Sequence, residues 1–105
     1  MGLGKTIQAI ATIEHTKGSV CIVCPAYLKR NWHTEINKFM PQSFNSPLHI
    51  LSYEGFLKYA PKECSVLVFD EAHYLKNMDS KRTKFAHKYV KENKPKHLLL
   101  LSGTP

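Results

Sequence analysis

Apolar residues along this chain fall into short continuous runs, separated by stretches where they recur every three or four positions. Val20–Cys24 is apolar throughout, the pattern of a strand covered on both faces. Val66–Phe69 and Leu98–Leu101 are further runs of the same kind, and Leu48–Ser52 alternates as a shorter strand. Between them lie helical patterns. In Lys5–His15, Ile7, Ile10, Ala11 and Ile13 are apolar around most of the circumference, as in a helix buried against a sheet. After Pro25, the residues Leu28, Trp32, Ile36 and Phe39 make one stripe that Pro41 ends. Tyr53–Tyr59 has room for a short helix. Asp79–Glu92 predicts a basic helix with Phe85, Ala86, Tyr89 and Val90 as its inner face. Lys17-Gly18-Ser19 and the polar stretch Gln42–Pro47 are breaks. Strands alternating with helices predict an α/β domain with a mainly parallel sheet.

Length and composition narrow this picture. With 105 residues the chain makes one domain at most. No apolar run, Leu98–Leu101 included, approaches the ~20 residues that cross a bilayer. No signal peptide opens the chain, so no membrane partner is expected. Three cysteines are an odd count, which argues against a closed disulfide framework and for a reducing, intracellular compartment. Cys21-x-x-Cys24 has metal or redox spacing, but positions three apart on a strand face opposite ways, which favours buried thiols. His15, His33, His49, His87 and His97 show no ligand spacing. Trp32 could stack on a base, yet its place in the apolar stripe favours the core.

The net charge is +7 and is unevenly spread. Lys76, Lys81, Arg82, Lys84, Lys88, Lys91, Lys94 and Lys96 face only Asp79 and Glu92 in one stretch, which holds nearly all of the excess. A polyanion, nucleic acid first, is one implication; a solvated helix face is the other.

Two segments carry candidate chemistry. Gly4-Lys5-Thr6 before a helix is the second half of a phosphate-binding loop. Glycine lets backbone N–H groups turn around phosphate oxygens, and the helix N-terminus adds its positive end. Lys5 would reach the β and γ phosphates, and the Thr6 hydroxyl would ligate Mg²⁺. Val66-Leu67-Val68-Phe69-Asp70-Glu71 is an apolar strand ending in two carboxylates. Asp70 would hold Mg²⁺ through its water shell, and Glu71 would polarise an attacking water. The two segments together point to a nucleotide hydrolase.

The continuation Asp70-Glu71-Ala72-His73 resembles the helicase superfamily two ATPases, and within them the Swi/Snf-related DNA translocases. Met1-Gly2-Leu3-Gly4-Lys5-Thr6-Ile7-Gln8 looks like their first motif. Cys24-Pro25-Ala26-Tyr27-Leu28 with Asn31-Trp32 and Glu35-Ile36 is similar to motif Ia, and Leu51-Ser52-Tyr53-Glu54 to motif Ib. Asp70–Asn77, with Ser80 beyond it, looks like an extended motif II, and Leu100–Pro105 like motif III. The Tyr-Leu-Lys-Asn and Ser-Gly-Thr-Pro runs lean toward the annealing-helicase branch.

The resemblance implies a RecA-like P-loop lobe over residues 1–105, with ATP and Mg²⁺ as cofactors and double-stranded or branched DNA as partner. It implies phosphate binding by Gly2, Gly4, Lys5 and Thr6, with Asp70 as metal partner and Glu71 as catalytic carboxylate. His73, Ser102 and Thr104 would relay nucleotide state, and Pro25, Ala26, Ser52 and Tyr53 would lie near DNA. The location implied is nuclear in a eukaryote and cytoplasmic otherwise. The strand that leads into the phosphate loop and the second lobe are expected outside this chain. The lobe is thus expected to be incomplete at its N-terminus, inactive alone, and open at the Leu98–Leu101 edge of its sheet. A decayed lobe that binds DNA or a partner without hydrolysis, and a P-loop small-molecule kinase, are the alternatives.

Overall fold

The computed structural model describes residues 3–16, 18–39, 46–75 and 80–101. The order is α1 (Leu3–His15), β1 (Val20–Cys24), a 3-10 turn (Ala26–Leu28), α2 (Lys29–Phe39), β2 (Leu48–Ser52), α3 (Tyr53–Tyr59), β3 (Val66–Asp70), a second 3-10 turn (Ala72–Leu75), α4 (Lys81–Asn93) and β4 (His97–Leu101). The four strands form one sheet in the order β2-β1-β3-β4, with every pair parallel. This is the α/β arrangement that the hydrophobic runs predict.

Burial follows strand position. The central strands β1 and β3 are buried at every residue. Parallel strands covered on both faces need no polar alternation, and Val20–Cys24 and Val66–Phe69 have none. β2 and β4 lie at the two edges of the described sheet, and in β4 Leu98 and Leu100 are 42% and 61% exposed.

Each face of the sheet has its own core. On one, Ala9, Ile10 and Ile13 of α1 and Trp32 and Ile36 of α2 pack on Val20, Ile22, Cys24, Val66 and Val68. On the other, Tyr53 and Phe56 of α3 and Ala86 and Tyr89 of α4 pack on Cys21, Val23, Leu67 and Phe69. Phe56 sits edge-on to Phe69, Phe85 and Tyr89, with ring centroids 5.7, 5.1 and 5.0 Å away. Full burial of such a ring stabilises the fold by about 1.5–3 kcal/mol.

Some details depart from the sequence pattern. The inner face of α1 is Ala9, Ile10 and Ile13 with Thr6, whereas Ile7 is 43% exposed and Ala11 is also outside the core. One side of a helix this long is enough to cover the sheet, so an all-round apolar pattern is not used in full. The segment after Pro25 starts as a 3-10 turn before α2. The basic helix starts at Lys81, because Ser80 caps it: its Oγ accepts from the Thr83 N–H at 3.2 Å and donates to Thr83 Oγ1 at 2.8 Å. Asp79, at the expected start, lies outside the described residues.

Helix–strand connections are tight. Ser52 ends β2 and also caps α3, accepting from the Gly55 N–H at 2.9 Å. Gly18 has φ +116°, and a Cβ there would collide with Ser65, so the turn into β1 needs glycine. None of the helices among the described residues is long and apolar enough to cross a membrane.

Candidate nucleotide and polyanion site

The strand order locates the site. From β1 the chain moves one way to β2 and then returns to the other side of β1 for β3 and β4. The order therefore reverses between β1 and β3. In open parallel sheets a crevice forms outside the carboxyl ends of the strands at this point. β1 ends there in Cys24 before Pro25, and β3 ends there in Asp70 before Glu71.

Alternation fixes which way Asp70 faces. Val66 and Val68 belong to the α1/α2 core, and Leu67 and Phe69 to the α3/α4 core. Asp70 therefore faces the α1/α2 side. Its carboxylate meets that side directly, because Trp32 Nε1 donates to Asp70 Oδ2 at 2.8 Å. Asp70 Oδ1 accepts from the backbone N–H of Glu71 at 2.9 Å. From the other side, the Tyr53 hydroxyl donates to the Asp70 carbonyl at 2.8 Å. Asp70 is 3% exposed, and these bonds offset the cost of burying a carboxylate at a sheet end.

Glu71 leaves the strand with φ +55°, in the left-handed region. A non-glycine residue there is strained by about 1–3 kcal/mol, and such residues cluster at functional sites. The His73 Nδ1 atom lies 3.4 Å from Glu71 Oε1.

α1 brings the second segment to the same end of the sheet. Its last residue, His15, is separated from the first residue of β1 by a short connection, so its C-terminal end lies at the amino ends of the strands. Its first turn, with Gly4, Lys5 and Thr6, is then directed toward the carboxyl ends, on the face that Asp70 shares. Thr6 is buried in that turn. The Thr6 hydroxyl and the Asp70 carboxylate are hard oxygen donors, the kind that suits Mg²⁺ with part of its water shell retained. Gly2, Ser102 and Thr104 lie outside the described residues.

The parallel register aligns Cys24 with Ser52, so Pro25 and Tyr53 leave their strands side by side. Pro25, Ala26, Ser52 and Tyr53 line one groove of about 360 Å³, together with Tyr27, Glu54 and Arg82. Tyr27 is 73% exposed, while the Tyr53 ring is buried and stacked on Phe69. Arg82 reaches the groove from the first turn of α4, and Lys81 and Lys84 beside it are exposed.

The thiols are outside this chemistry. Cys21 and Cys24 point to opposite cores, and Cys21, Cys24 and Cys64 are all free and buried. The Cys24 thiol is pushed up to about 12, first by burial and then by the Asp70 carboxylate, against a pull from Lys29. It is held neutral beside Asp70.

The apolar stripe correctly places Trp32 in the core, but periodicity gives no sign of its bond to Asp70. The one available signal is that a buried indole N–H needs an acceptor. Tyr27 and Glu54 stand in the runs likened to motifs Ia and Ib, and Arg82 in the basic stretch, but nothing in the sequence joins them in one groove. They come from three separate segments, which only the fold brings together.

Comparison with known proteins identifies the family. The SNF2-related domain matches residues 1–58. A SWI/SNF-related matrix-associated actin-dependent regulator of chromatin subfamily A-like protein 1 homolog of Caenorhabditis elegans is 34% identical, over 100% of the chain and 18% of the relative. The chromodomain-helicase-DNA-binding protein 1-like of Danio rerio is 32% identical, over 100% of the chain and 13% of the relative. The chromatin-remodeling ATPase INO80 of Homo sapiens is 29% identical, over 100% of the chain and 9% of the relative. The chain spans less than a fifth of the length of each of these relatives.

Proposed function

The chain belongs to the SNF2-related domain family, whose fold is RecA-like, and from that premise we propose that it binds and hydrolyses ATP as part of an ATP-dependent translocase on double-stranded or branched DNA. The carrying observation is the placement of Asp70 and Glu71 at the sheet's reversal point, on the side that α1 approaches with Gly4, Lys5 and Thr6. Relatives named as a helicase and as a chromatin-remodeling ATPase support the reaction class. The word chromatin in those names supports a nuclear location in a eukaryote.

In this reading Gly2 and Gly4 shape the phosphate loop, and Lys5 reaches the β and γ phosphates. Thr6 and Asp70 hold Mg²⁺, which neutralises phosphate charge when bound. Glu71, turned back by its left-handed backbone, orients the attacking water and takes its proton. His73, beside Glu71, steadies it and shares with Ser102 and Thr104 the relay of nucleotide state. A second RecA-like lobe closes the site from the far side. The groove of Pro25, Ala26, Ser52 and Tyr53 holds the DNA backbone, with Arg82 adding positive charge.

ATP binding by the full-length protein tests this reading. The unmodified protein should bind ATP, and Lys5→Ala should abolish binding. Equal binding by both, or none by the unmodified protein, would overturn it.

A further inference from the structure

The bond from Trp32 to Asp70 has a use beyond core packing. A tryptophan in a core needs an acceptor for its N–H, and the nearest solution is usually a backbone carbonyl or water. Here the acceptor is a carboxylate oxygen at the end of β3, 2.8 Å away, which is the length of a charge-assisted bond. The indole body is 2% exposed and packed among Ile36, Ile50 and the β1 side chains, so the donor has almost no freedom.

The two Asp70 oxygens accept from different N–H groups. Oδ2 takes the indole N–H and Oδ1 takes the Glu71 N–H. That fixes the rotation of the carboxylate. It also ties the bond to the backbone of Glu71, the residue held at φ +55°. Trp32 thus reaches Asp70 directly and the Glu71 backbone through it.

We propose that Trp32 is a positioning residue for the metal-side carboxylate: its indole N–H holds Asp70 in the orientation that receives Mg²⁺ and, through Asp70 Oδ1, keeps Glu71 in its left-handed turn. The helix that carries Trp32 follows the 3-10 turn of Ala26 and Tyr27 in the groove wall. The groove wall and the carboxylate are therefore joined by one short rigid element. This inference rests on the proposed nucleotide site. Partners that orient metal ligands typically change metal affinity by about 10–100-fold when removed.

The test uses full-length protein in which Trp32 is replaced by β-(3-benzothienyl)alanine, which keeps the ring shape and puts sulfur in place of N–H. Trp32→Phe is the genetic counterpart. Mn²⁺ binding in the presence of a non-hydrolysable ATP analogue is measured by electron paramagnetic resonance, and analogue binding is measured separately in EDTA. The expected result is unchanged analogue binding without metal and a Mn²⁺ dissociation constant raised roughly 10–100-fold. The Trp32 indole N–H resonance, identified by its loss in Trp32→Phe, should shift in Asp70→Asn. If the benzothienyl protein binds Mn²⁺ as tightly as the unmodified one, or the resonance does not respond to Asp70→Asn, this inference is overturned and the nucleotide reading stands. If unmodified protein binds no Mn²⁺ with the analogue, the nucleotide reading itself is wrong.

Discussion

The hydroxyl of Tyr53 donates to the main-chain carbonyl of Asp70 at 2.8 Å, which joins the start of α3 to the end of β3 across the sheet's reversal point. Asp70 is buried, and a buried carbonyl is stabilised by such a donor. Tyr53→Phe keeps the ring that stacks on Phe69 but leaves the carbonyl without this bond. The expected loss of stability is about 0.5–1.5 kcal/mol, the net contribution of one hydrogen bond. Urea unfolding checks it, and a loss near zero would mean that water or another group takes over the bond.

The cap of α4 is a second local device. Ser80 Oγ serves both the N–H and the hydroxyl of Thr83, and Thr83 is fully buried. Ser80→Ala should cost about 1 kcal/mol or slightly more, as for a lost N-cap. Ser80→Asp should recover most of it, since a carboxylate accepts the same N–H and favours a helix N-terminus. The pair of unfolding midpoints distinguishes a cap from a packing contact.

Much of this architecture is legible in the chain. Val20–Cys24 and Val66–Phe69 are apolar without alternation because both their faces are covered, and that pattern has few other solutions. The stripe through Trp32 and Ile36 likewise marks the inner side of α2. Periodicity gives a direction and stops there. It tells that Trp32 turns inward, but not that its N–H lands on a carboxylate from a strand 38 positions away. Nothing in the composition marks Glu71 for a positive φ, since that conformation comes from the turn after β3 and its tie to Asp70. Thr83 is not among the apolar positions that mark the inner face of the basic helix, yet it is buried and bonded to Ser80. Pro25 and Tyr53 gather in one groove because the β1–β2 register aligns Cys24 with Ser52, a long-range fact that local propensity does not contain.

The buried thiols and Tyr89 make an alkaline prediction. Burial raises Cys21, Cys24 and Cys64 above the ordinary value of 9.0 and Tyr89 above 10.0. Below these ordinary values both folded and unfolded chains keep the protons, and stability has no slope from them. Above them the unfolded chain releases protons that the folded chain retains, so stability falls as pH rises. The slope is about 1.4 kcal/mol per pH unit for each group involved. The urea midpoint should hold up to about pH 8.5 and drop by about pH 10. A flat midpoint through that window would contradict the burial of these groups.

The basic face of α4 makes a prediction about salt. Arg82 lines the groove, and Lys81 and Lys84 are exposed next to it. Neutralising all three should weaken DNA binding without regard to sequence. The slope of log affinity against log salt should fall by up to about three if each touches a phosphate. An unchanged slope would return this face to simple solvation.

The central claim is that Glu71 is the carboxylate that activates water for ATP hydrolysis. Glu71→Gln preserves the shape of the side chain and removes its ability to take a proton. Phosphate release by the full-length protein with DNA and Mg²⁺, measured beside ATP binding, tests the claim most directly. The predicted result is ATP binding within error of the unmodified protein and turnover lowered about 10²–10⁴-fold. Turnover at the unmodified rate in Glu71→Gln would contradict it.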